Sequence, residues 1–364
     1  MPSPGLRRQI GQLVTIGIAG HACQAELRSL ARDFDLGGVI LFARNVVAPE
    51  QVAELAFDIQ ALVADPPPWV AVDQEGGRVA RLRAPFTVWP AMHTLGRSGS
   101  EDLASRFAQA LARELRSVGI TLDFAPVLDI LTNPANPAIG DRALAADAGT
   151  VARLGAAMIR GLQQEGIAAC GKHFPGHGDT GVDSHHELPV VEHGPDRLRA
   201  VEYEPFRAAI GADVAGIMVA HLLVPALDAD WPASLSRRVV TGELRGGLGF
   251  DGLIVTDDLY MKGCRARLAP PAATVQAVAA GHDMVLLCEP NVDDQAAALE
   301  ALVHAVEGGM LPVDQVERSI ARHQRWKARF MAPADDRRRP SAQWRQVIGC
   351  EAHQIIAADM AQHA

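Results

Sequence analysis

The chain has 364 residues, of which 48% are apolar, 21% charged and 5% aromatic. That is ample apolar material for a core and excludes a mainly disordered chain. The 43 acidic against 34 basic residues, net −9, argue against a nucleic-acid protein with a basic face. A local cluster of cations can override net charge, so an anionic small ligand stays open. Two tyrosines and five tryptophans are few for recognition through an aromatic surface.

Five widely spaced cysteines (Cys23, Cys170, Cys264, Cys288, Cys350) contain no CxxC. They imply neither a disulfide framework nor a zinc knuckle, and a reducing cytoplasm is the expected compartment. No apolar run reaches the roughly 18 residues of a membrane span. Arg7 and Arg8 before the apolar stretch Ile10 to Ala19 resemble a signal peptide, but Gly11, Gln12 and Gly17 interrupt the stretch. A strand is expected there instead.

Short continuous apolar runs recur at Leu13–Ile18, Gly38–Phe42, Trp69–Val72, Thr121–Val127, Ala168–Gly171, Gly216–Val219, Leu253–Val255 and Met284–Leu287. Continuous runs are the mark of strands buried on both faces. Helical patterns follow all but the first, at Glu50–Val63, Ser100–Val118, Asp147–Glu165, Asp196–Ile210, Val240–Leu248, Ala272–Ala280 and Asp293–Glu307. Eight strands alternating with helices predict an α/β fold, a closed (β/α)8 TIM barrel forming one domain over residues 1–332. Residues 333–364 are expected to form a short helical tail. No GxGxxG follows a strand and no P-loop motif occurs, so a dinucleotide or P-loop cofactor has no support.

Barrel chemistry sits where the strands end. The third run ends in Asp73-Gln74-Glu75-Gly76-Gly77-Arg78, the fourth leads to Asp129, the fifth to Lys172-His173, the sixth to His221 and the seventh to Asp257-Asp258. Polar strand ends are ordinary, but a Lys-His pair after a buried strand and a carboxylate pair at the seventh exit are not. Adjacent strand residues face opposite ways, so one carboxylate of Asp257-Asp258 points to the axis. Asp257 is the candidate nucleophile, and Asp258 a structural acceptor or helix cap.

The segment Lys172 to Leu188 packs four histidines, two aspartates and three glycines into seventeen residues. Glycines and Pro175 forbid a regular helix, so a long shaped loop is expected. HExxH is absent, as is an HxH at the first strand, so no metal is expected. Asp183-Ser184-His185 instead places a carboxylate within reach of an imidazole, which fixes its tautomer and raises its basicity.

At this point the sequence resembles glycoside hydrolase family 3, in its single-domain bacterial β-N-acetylglucosaminidase form. The resemblance is carried by GGVILFARN (37–45), VDQEGGRVARL (72–82), APVLDI (125–130), IGDRA (139–143), GKHFPGHGDTGVDSHHELP (171–189), MVAHL (218–222), PASLS (232–236) and GLIVTDDLYM (252–261). It implies a retaining hydrolase that removes terminal β-linked GlcNAc through a covalent glycosyl-aspartate, on peptidoglycan-derived muropeptides of the GlcNAc-1,6-anhydro-MurNAc type. It implies Asp257 as nucleophile, His185 as acid/base and Asp183 as its orienting partner. Asp73, Arg81, Arg142, Lys172, His173 and Met218 are implied to hold the sugar. No cofactor, nucleic acid or membrane is implied, and a monomer or weak dimer is expected. A broader β-glycosidase, a GlcNAc phosphorylase of the same family and a non-catalytic sugar sensor are the alternatives. CRARLAPPAA (264–273) departs from the expected glycine-containing loop, which leaves the pocket rim and leaving-group preference open.

Overall fold

A computed structural model describes residues 4–184, 187–332, 342 and 344–364. Ten strands occur among them: β1 (Val14–Gly17), β2 (Gly38–Leu41), β3 (Trp69–Val72), β4 (Gln74–Gly76), β5 (Val79–Ala80), β6 (Leu122–Asp123), β7 (Ala168–Phe174), β8 (Gly216–Val219), β9 (Leu253–Asp258) and β10 (Met284–Leu287). Eight close a parallel barrel in the order β1-β10-β9-β8-β7-β6-β3-β2, and β4 and β5 form a separate antiparallel hairpin. The expected (β/α)8 barrel is what forms.

Strand alternation sorts the apolar residues into two layers. Ile40, Trp69, Ala71, Leu122, Phe124, Cys170, Met218 and Val255 belong to one buried cluster, which fills the barrel. Val39, Val70, Val72, Ile217 and Ile254 alternate with them and join the larger cluster that includes the surrounding helices. Both faces are dry, which is why the runs read as continuous.

Several local expectations change. The fourth run, read as Thr121–Val127, is a regular strand over just Leu122–Asp123, with one isolated bridge from Val127 to Lys172. Pro126 lacks an N–H and cannot extend the ladder. The fifth strand runs on to Phe174, so Lys172 and His173 are strand residues rather than the start of a loop. The segment read as the helix Val240–Leu248 is wound over Arg238–Gly247 with wider i→i+5 hydrogen bonding. Several helices lacked an expectation, among them Ala25–Asp33, which completes the first β/α unit, and Val313–Phe330, which follows the helix Val292–Glu307 and packs against β9 and the turn Ile10–Leu13. The unusual Pro270-Pro271 opens the helix Pro270–Ala280, where missing N–H groups cost nothing.

The C-terminal helix Glu351–Ala361 packs on the helix Glu101–Ser117. Its anchor is the buried Glu114. One oxygen accepts His353 Nδ1 at 2.8 Å, Thr87 Oγ1 at 2.6 Å and the Gly349 N–H at 3.0 Å, and the other accepts the Thr87 N–H at 3.0 Å. Removing this acceptor orphans buried donors on three segments. Glu114→Ala is expected to lower unfolding stability by about 2–4 kcal/mol and to speed proteolytic release of the C-terminal helix. A urea-unfolding difference below about 0.5 kcal/mol would show that the anchor does not hold the tail.

Candidate active site

The C-terminal ends of the strands surround a cavity of about 290 Å³ lined by Asp73, Glu75, Arg81, Arg142, Lys172, His173, Asp183, Met218 and Asp257, among others. All the expected site residues except His185 are therefore brought to one pocket. His185 and its neighbour His186 lie outside the described residues.

The charged floor is built by three strand exits. Lys172, on β7, is buried and bonds Asp73 Oδ1 at 2.8 Å and Glu75 Oε1 at 2.6 Å. Arg142 grips Glu75 with two parallel hydrogen bonds, Nε to Oε2 at 2.9 Å and Nη2 to Oε1 at 2.8 Å. Arg81 Nη2 reaches Asp73 Oδ2 at 3.4 Å. Burial by itself would raise the Glu75 carboxyl, but Arg142 and Lys172 together hold it well below the ordinary range. Burial likewise opposes the charges on Lys172 and Arg142, and their carboxylate partners keep both more firmly protonated than usual.

Glu75 reaches this position because the chain reverses sharply after Asp73. Gly76 and Gly77 have φ of 104° and 56°, a left-handed turn that side chains resist. The Gln74 side chain then accepts the N–H groups of Arg81 and Leu82, pinning the two arms of the hairpin. Arg142 reaches Glu75 rather than its chain neighbour Asp141. Asp141 pairs instead with Arg78, which also donates to the carbonyls of Ala138 and Ile139.

Asp129 organises the next layer. Its carboxylate accepts His173 Nδ1 at 2.7 Å and the backbone N–H groups of His173 and His177. With a carboxylate as its partner, His173 Nδ1 is the donor of this bond. Burial raises the Asp129 carboxyl, yet the two histidines bring it below its ordinary value. Beyond it, His177 Nδ1 meets Thr180 Oγ1 at 2.7 Å and Nε2 meets Ser184 Oγ at 3.2 Å. Gly178 lets the loop lie on the β6 exit, since a Cβ there would sit 1.7 Å from the Ile130 carbonyl oxygen. Across the pocket, Asp257 Oδ1 accepts the Asp258 N–H at 2.8 Å. Asp258 accepts the N–H groups of Cys288 and Tyr260, and burial pushes its carboxyl up to about 6.

The model for the glycosyl hydrolase family 3 N-terminal domain matches residues 5–325. The chain belongs to glycosyl hydrolase family 3. It is 42% identical over 291 residues to a beta-hexosaminidase of Thiobacillus denitrificans, covering 78% of this chain and 80% of that protein. It is 38% identical over 327 residues to a beta-hexosaminidase of Bordetella pertussis, covering 88% and 89%. The structure of a family 3 beta-N-acetylglucosaminidase from Paenibacillus sp. str. FPU-7 superposes with a TM-score of 0.94 at 40% identity, over 98% of this chain and 68% of that one.

This family 3 site contains residues that the sequence reading did not single out for binding. Glu75 and Asp129 are the hubs of the two networks, and both stand at strand exits. Their positions gave the available signal, but only folding shows that Lys172 and His173 converge on them. Neither cluster supplies a metal-ligand set among the described residues.

Glu75→Gln keeps the shape and removes the charge that two buried cations face. A loss of about 3–5 kcal/mol in unfolding free energy is expected at neutral pH. Glu75 has a depressed folded pKa, so its stabilisation is complete above the ordinary value of about 4.3 and fades as pH falls through the folded value. Urea unfolding of both proteins from pH 7 to pH 3 should show the difference shrinking on the acid side only. A constant difference would contradict the charge assignment.

Proposed function

We propose that the chain is a retaining exo-β-N-acetylglucosaminidase that removes terminal GlcNAc from peptidoglycan-derived disaccharides of the GlcNAc-1,6-anhydro-MurNAc type, in the cytoplasm. The observation that carries this is the convergence of Asp257 and Asp183 on the same small pocket that holds the Asp73–Lys172–Glu75–Arg142 network. At about 290 Å³ the cavity is at the small end of ligand pockets. That size suits one sugar ring, hence removal from a chain end. The beta-hexosaminidase relatives support the same activity. Among the described residues no helix is long and apolar enough to cross a membrane.

In this reading Asp73, Arg81, Arg142, Lys172 and His173 hold the sugar hydroxyls, and Met218 forms part of the apolar floor. Asp257 attacks the anomeric carbon and the glycosidic bond breaks, while His185 gives its proton to the leaving oxygen. The glycosyl-aspartate is then opened by water, which His185 deprotonates. Retaining enzymes usually pair two carboxyls about 5–5.5 Å apart. An imidazole in the second role places no further negative charge beside Asp257. Asp183 orients that imidazole and stabilises it when charged.

Asp257→Ala is expected to reduce turnover of aryl β-GlcNAc to background, with the fold intact by circular dichroism. His185→Ala should cost about 10²–10⁴-fold on substrates with poor leaving groups, and much less on an activated nitrophenyl one. Equal losses on both would remove the acid role. Wild-type enzyme should prefer aryl β-GlcNAc to aryl β-glucoside, and the reverse preference would refute the substrate assignment.

A further inference from the structure

Asp123 is a buried acid for which the proposed reaction has no use. It is fully buried at the end of β6, and its Oδ2 has no hydrogen-bond partner among the described residues. Its Oδ1 accepts the Gln74 backbone N–H at 2.9 Å. β3 and β6 are in register over just two pairs, Ala71 with Leu122 and Val72 with Asp123. The Asp123 side chain therefore takes over where the ladder stops, and holds the peptide between Asp73 and Gln74. That peptide lies between Asp73 and Glu75 in the chain, next to the one and one residue before the other, and both carboxylates bond Lys172.

The charges around Asp123 decide its state. From the β3 exit and the hairpin it feels Asp73 and Glu75, and from β7 it feels Lys172. The buried Cys170 thiol, also on β7, feels Asp123 in return. Lys172 is already bonded to both other carboxylates. An ionised Asp123 would set a third carboxylate on one ammonium, with one oxygen bare of donors, which is the costly way to bury charge. An uncharged acid loses nothing at Oδ1, because its carbonyl oxygen still accepts Gln74 N–H.

We propose that Asp123 is a positioning residue that works as a neutral acid: its carbonyl oxygen fixes the Asp73–Gln74 peptide, and its proton keeps a third negative charge out of the sugar-binding network. Burial, reinforced by Asp73 and Glu75, drives its carboxyl well above the ordinary range despite the Gln74 hydrogen bond and Lys172. The role in binding rests on the reading of Asp73 as a sugar ligand; the protonation state does not.

Two variants test it. Asp123→Ala removes the acceptor, and KM for aryl β-GlcNAc is expected to rise about tenfold with a smaller change in kcat. Asp123→Asn keeps a neutral acceptor and should recover most of that loss. The second readout is thermal. A raised folded pKa gives stability that is present at low pH and is lost as pH rises above the ordinary carboxylate value of about 3.9. The midpoint of Asp123→Asn minus that of wild type should therefore increase from pH 5 to pH 8. An Asn variant as impaired in KM as the Ala variant, or a midpoint difference that does not change with pH, overturns the proposal. If the Ala variant does not fold, Asn against wild type still decides through the thermal readout. If wild type fails to cleave aryl β-GlcNAc, the substrate reading falls while the thermal comparison still decides the state of Asp123.

Discussion

Everything at the mouth of this barrel is arranged around one buried carboxylate with two cations. Glu75 is bonded by both Lys172 and Arg142, and all three side chains are largely withdrawn from water. None of the three could be buried alone, because an unpaired charge in such a place costs several kcal/mol. Together they tie β7, the β4–β5 hairpin and the turn at Gly140–Arg142 to one another. The pocket therefore has a rigid charged floor before any ligand enters, which lowers the ordering cost of binding.

The same economy recurs one layer out. Asp129 receives three N–H donors from residues 173 and 177, so the glycine-rich loop begins from a fixed anchor. His177, Thr180 and Ser184 then bond one another along the loop as far as the described residues run. The cations are thus not a free positive surface awaiting an anion. Asp73 and Glu75 neutralise Lys172 and Arg142 within the protein, so the net −9 and the local chemistry are reconciled by pairing.

Much of this was legible in the chain itself. Continuous apolar runs such as Gly38–Phe42 and Met284–Leu287 report strands with two dry faces, and their number reports closure. The ionisable residues after most of the runs report the functional end. Pro126 hid the shortness of the fourth strand, because apolar residues continue past the point where the ladder must stop. The helix Val313–Phe330 went unread, since its mean character is polar and only one face is buried. GDR alone does not show the partner of Arg142, which reaches a carboxylate 67 positions earlier.

What the sequence determined by itself is the set of reactive groups and the barrel end at which they gather, because burial periodicity and strand exits are local properties of the chain. What only the tertiary structure decided is which charge meets which. Lys172 reaches across 99 positions to Asp73, and Asp129 receives His173 from 44 positions away. Pairings of that kind depend on strand order, register and depth below the surface, and they set which buried groups carry charge.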